Sequence, residues 1–120
     1  MSGSESLTVD EALEALYRHA EVAWAVLKRG ADGLSLEGAG RALETTVDAL
    51  DVVWAIVGAV TARTEQIRDR ELLERREGSA LDVVDDALVH LVYGKEGLMV
   101  ARHLLGLGRS EVLRVARDEV

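Results

Sequence analysis

The chain has 120 residues, 48% of them hydrophobic, and a formal charge of −8. That length suits one domain with a core of its own, and the absence of cysteine excludes disulfides, thiolate zinc sites and cysteine nucleophiles. The acidic balance disfavours broad nucleic-acid binding, which rests on neutralising phosphates.

The opening Met-Ser-Gly-Ser-Glu-Ser lacks the basic region and apolar core of a secretory signal, so a cytoplasmic protein is expected. Residues 1–7 read as a flexible tail and residues 8–120 as a single all-α domain. Proline, phenylalanine and asparagine are missing and arginine far outnumbers lysine, a bias that matches translation of a GC-rich genome. Missing proline also fits an all-helical chain.

Thr8 and Glu11 form a Thr-x-x-Glu capping box, which starts a first helix over about residues 9–29. Leu13, Leu16, Ala20, Trp24 and Leu27 make one apolar stripe on it, and His19 lies on a second stripe beside the first. Gly30-Ala31-Asp32-Gly33 ends this helix, since glycine tolerates the backbone that closes helices.

Ser35, with Glu37 in the first turn, starts a second helix. Leu43, Val47, Leu50, Trp54, Val57 and Thr61 alternate three- and four-residue steps, the seam of a packed bundle. Residues 52–60 carry no polar face at all, and a helix apolar all round must be covered all round. This run is too short for a bilayer, which needs about 20 apolar residues, so its cover is expected to be protein and no membrane is implied. Continued to residue 77, the helix would be about 63 Å long, so either it breaks near residues 61–66 or two chains share it. Beyond the break, pairs such as Arg70 with Glu74 and Glu71 with Arg75 read as a solvated arm.

Ser79, followed by Asp82, starts a third helix, whose seven-residue step through Val84, Leu91, Leu98 and Leu105 carries it across Gly94 and Gly97. Gly106-Leu107-Gly108 reads as a turn, and Ser110 with Glu111 as the start of a short fourth helix. No period-2 alternation persists, so no strand is expected. The expected architecture is all-α, a bundle of two long helices plus a third and a short fourth, completed by oligomerisation.

Three constellations carry chemistry that burial alone does not require. His19, His90 and His103 have mainly apolar neighbours, and His90 lies beside small residues that leave room for a planar ligand; without His-x-x-x-His or Glu-x-x-His spacing, no metal or other cofactor is assigned. Glu11-Ala-Leu-Glu14, with Asp48 and Asp51 on the second helix, resembles the acidic signature of the all-α nucleotide pyrophosphohydrolases, which implies magnesium held by these four carboxylates and hydrolysis of a nucleotide. In this chain the second pair begins with aspartate. Residues 100–114, with Gly108-Arg109-Ser110 at the bend, resemble helix-turn-helix and ribbon-helix-helix regulators. That resemblance implies a recognition helix presenting Arg109, Arg114 and Arg117 to DNA.

No nucleophile with a paired base and no glycine-rich phosphate loop is evident, which argues against an enzyme. The primary expectation is a small acidic helical module that acts as a homo-oligomer and binds or scaffolds another protein. Trp24, Val53, Trp54, Val57 and Gly58 are its expected interface, with Gly58 admitting a close neighbouring backbone. A DNA-binding regulator and a metal-dependent nucleotide hydrolase are the alternatives.

Overall fold

The computed structural model describes the backbone of residues 7–74 and 78–118 and the side chains of residues 7–70 and 81–118. The expected tail apart from Leu7, the expected helix end at residue 77, the Ser79 side chain and the Arg70–Glu74 and Glu71–Arg75 pairs lie outside these residues, while the backbone at Ser79 is already helical, one residue past the start at Gly78. By its contacts the chain divides into two units, residues 1–35 and 36–120.

Thr8 is extended (φ −74°, ψ 164°), and its hydroxyl oxygen accepts the Glu11 N–H at 3.1 Å while the Glu11 carboxylate accepts the Thr8 N–H at 3.3 Å. This exchange satisfies donors that the first helical turn leaves free, and α1 (Val9–Gly30) begins there. Asp10 and Glu11 at its start, with Lys28 and Arg29 in its last turn, complement the helix dipole. A 3-10 turn, Ala31–Gly33, closes it, with the Leu34 N–H donating to the Ala31 carbonyl at 3.1 Å. No residue of α1 is buried.

The second unit is built from α2 (Leu36–Glu74) and α3 (Gly78–Asp118), of 39 and 41 residues. Gly40 faces Leu113, Asp51 pairs with Arg102 and Arg68 with Asp85, so rising numbers on one helix meet falling numbers on the other. The two therefore form an antiparallel hairpin about 60 Å long, at about 1.5 Å per residue. Val84, Leu91, Leu98 and Leu105 are all half-buried, as their seven-residue step requires of a seam. Among the described residues no strand occurs, and the fold is all-α.

Two expectations are corrected. The second helix does not break over residues 61–66, because α3 runs alongside and supplies the seam that an isolated helix would lack. The fourth helix does not exist as a separate element, for α3 continues through residues 106–108 to Asp118. Ser110 caps nothing there; its hydroxyl donates back to the Gly106 carbonyl at 3.0 Å, one turn earlier in the same helix. Helix-interior glycines cost about 1 kcal/mol each relative to alanine, yet the turns beyond them pack on α2 and outweigh that penalty. Ala116 is buried, Val112 and Leu113 are half-buried, and Leu113 lies close enough to Gly40 that a side chain there would meet it at 2.5 Å.

A two-helix layer buries little. Among the described residues Val47 (1% exposed) and Ala116 (8%) are the buried apolar side chains. Thr61 is the buried polar one, and its hydroxyl is satisfied by the Val57 carbonyl at 2.7 Å. Thr45, Thr46 and Thr64 bond back to their own helix in the same way.

Candidate functional site

At about 100° per residue, the helix period sorts the hairpin into two sides. On α2, Glu44, Asp48 and Asp51 fall on one side of the seam, and on α3, Lys95, Glu96 and Arg102 fall on the same one. The Arg102 guanidinium grips Asp51 through two donors, its Nη2 at 3.2 Å, which confirms that these flanks adjoin. The hydrogen bond and charge of Arg102 hold the Asp51 carboxyl below the ordinary carboxylate range, and Asp51 in turn raises Arg102. Near the other end Arg68 spans to Asp85 at 2.6 and 3.3 Å and to Asp69 at 3.0 Å, contacts that raise its own pKa.

Between these two clips lies an open groove of about 410 Å³, whose walls include Trp54, Gly58, Glu65, Val92, Lys95 and Met99. Lys95 lies over the Trp54 ring with its ammonium 4.3 Å from the ring centre, a cation–π contact between the helices. Gly58 makes room for it, since a side chain at 58 would begin 3.1 Å from the Lys95 nitrogen. Within the chain, the close neighbour of Gly58 is therefore the Lys95 side chain. Lys28 sits over Trp24 on α1 at 5.7 Å, so each of the two tryptophans carries a lysine.

The opposite side is mainly apolar over the middle of the hairpin, with Arg63, seven residues after Ile56, at its outer edge. On α2 it presents Val53, Ile56 and Val60, with Ile67 beyond; on α3 it presents Ala87, Gly94, Gly97, Ala101 and Leu104. Val60 is 48% exposed and Leu104 60%, while a side chain added at Gly94 or Gly97 would meet nothing within 4 Å. Within the hairpin, neither α2 nor α3 covers this side.

The structure distributes the sequence candidates as follows. Of the expected interface residues, Val53 and Val57 are half-buried towards the bare side, Trp54 and Gly58 line the charged groove, and Trp24 stands 59% exposed on α1. His19, His90 and His103 are all exposed, and no group of three or more metal-ligating side chains converges among the described residues. Of the four carboxylates in the hydrolase resemblance, Glu11 closes the α1 cap, Glu14 pairs with Arg18 at 2.6 Å and Asp51 is held by Arg102. Arg109, Arg114 and Arg117 ride on the uninterrupted α3, so the bend that would set a recognition helix apart is absent.

The lysine stacked across the seam was not legible beforehand. Its one signal in the sequence is a lone lysine on the third helix whose neighbours three and four residues away, Leu91, Val92, Leu98 and Met99, are all apolar.

By length and composition, residues 36–70 of α2 would suffice to cross a membrane, with a mean hydropathy of 1.5 in the most apolar window. Asp48 and Asp51 fall in this stretch, and Asp51 is already tied to α3. Comparison with protein-family profiles, with curated proteins and with solved structures finds no match to this chain.

Proposed function

We propose that this chain is a homo-oligomeric helical module that scaffolds or binds other proteins through apolar helix faces. One observation carries the reading: α2 and α3, 80 residues between them, bury only Val47 and Ala116 among their described apolar side chains, and leave large residues such as Val60, Ile67 and Leu104 open to water. Scattered exposed hydrophobes are ordinary, but a mainly apolar strip along two helices is the mark of an interaction surface. α1 supports the same reading by itself, because Leu13, Leu16, Trp24 and Leu27 share a stripe and none is buried. The hairpin is suited to self-association, and α1 offers a second apolar helix to a partner, laid into a groove as amphipathic helices are.

A membrane surface fits less well. Helices that lie on lipid carry a basic polar face, whereas the polar flank of α2 presents Glu44, Asp48 and Asp51, and the chain as a whole is at −8. Native mass spectrometry and light scattering across a concentration series test the proposal. A dimer or larger assembly that dissociates on Val60→Glu while helicity is retained is expected, since a carboxylate there would be buried without a partner. A folded chain that stays monomeric up to about 100 µM, far above the micromolar range of standard interfaces, would overturn it.

A further inference from the structure

We infer that the bare side of the hairpin docks on the same side of a second copy, with a two-fold axis parallel to the helices that sets each α2 over the other copy's α3. This rests on the oligomeric reading above and specifies its surface, symmetry and register. The register within one chain is constant, from Gly40 at Leu113 through Asp51 at Arg102 to Arg68 at Asp85. At that register Ile56 is level with Gly97, while Val53, Val60 and Ile67 lie within one residue, about 1.5 Å, of Ala101, Gly94 and Ala87, so a ridge of branched side chains runs beside a trough of small ones. Nearer the start of α2 the sizes reverse, and Ala49 is level with Leu104.

A rotation about an axis parallel to the helices preserves height and exchanges the helices. The ridge of each copy then enters the trough of the other, and Leu104 of each meets Ala49 of the other. A perpendicular two-fold would instead set ridge against ridge. Self-complementarity of this kind is what a closed isologous dimer requires. All four helices of the resulting bundle run antiparallel to their neighbours, with the backbones close where Gly94 and Gly97 admit the facing valines and isoleucine. His90 comes within one residue of the height of Thr64, whose hydroxyl already donates to the Val60 carbonyl and has a lone pair free for an imidazole N–H.

The area is sufficient. A mainly apolar stretch over residues 87–108 of α3 and the matching turns of α2, with Arg63 at its outer edge, is about 33 Å long, and two helices about 10 Å apart make it about 20 Å wide, which amounts to roughly 1,300 Å² over both copies. Stable specific interfaces begin at about 1,200 Å².

The chain has no cysteine, so single cysteines report contacts directly. Under mild oxidation a mixture of Val60→Cys and Gly94→Cys proteins is expected to form a disulfide-linked heterodimer, while either variant alone forms little. In parallel, Gly97→Leu, at a position where a Cβ has nothing packed against it within 4 Å, is expected to keep full helicity and weaken dimerisation at least about tenfold, and Ile56→Ala in the same chain is expected to restore it. A dimer that links through Val60→Cys alone, or that tolerates Gly97→Leu, overturns this arrangement and leaves the oligomeric reading standing. A helical monomer at every concentration overturns both, and a monomer that sediments with phosphatidylcholine and phosphatidylglycerol vesicles assigns the bare side to lipid instead.

Discussion

Two glycines on the hairpin separate close packing from empty space. A side chain at Gly40 would come within 2.9 Å of the Leu113 branch point, whereas one at Gly106 would meet nothing. Gly40→Val is therefore expected to cost about 1–3 kcal/mol through overpacking and to splay that end of the hairpin. Gly106→Ala is expected to add up to about 1 kcal/mol by removing the conformational cost of a helical glycine. Urea unfolding followed by circular dichroism measures both, and opposite signs are the outcome that the geometry requires. Asp51 supplies the pH dependence. Its folded pKa lies below its unfolded one because Arg102 donates to the ionised form, so its contribution is complete above the unfolded value, about 3.9, and fades as pH falls through the lower folded value. The stability difference between the parent chain and Asp51→Asn should be present near neutrality and vanish at about pH 2. A difference that persisted there would mean the pair acts through packing rather than charge.

Local signals proved readable at the level of single helices, and signals that depend on a second helix did not. The Thr8 and Glu11 box lies within one turn and needs no tertiary context, which is why the start of α1 follows directly from its residues. Thr8→Ala is expected to lower the stability of the first turn by about 1 kcal/mol, seen as faster amide exchange at residues 9–12 with α2 and α3 unaffected. The seven-residue step on α3 likewise showed which face is inward. The Gly106-Leu107-Gly108 sequence misled because glycine punctuates a chain only where nothing beyond it rewards continuing, and here Val112, Leu113 and Ala116 find α2. Periodicity gives a face but no register. The Lys95–Trp54 stack and the Asp51–Arg102 clip depend on which turn of α3 meets which turn of α2, and no spacing within either helix encodes that.

For the whole molecule, the excess of apolar side chains over core positions is the dominant fact. The hydrophobic run over residues 52–60 called for cover, and α3 supplies it on the seam only: Val57 and Gly58 are half-buried, while Val52 and Val60 stay exposed. The composition foretold the shortfall, but which side of the hairpin is bare became visible only once the two helices were set in register. If the remaining cover is a second copy, thermal stability should depend on protein concentration, rising by several degrees over a hundredfold increase, because mass action then enters the unfolding equilibrium. A melting temperature independent of concentration would argue that the exposed strip costs the monomer nothing.

The two tryptophans fall one in each unit, Trp24 in residues 1–35 and Trp54 in residues 36–120, and no phenylalanine is present. The chain thus carries its own pair of fluorescent probes. In a Trp24→Tyr background the emission reports the hairpin alone, through an indole quenched or released as the lysine above it stays or leaves. In a Trp54→Tyr background it reports α1 alone, and a blue shift on adding a binding protein would register that helix passing from water into contact.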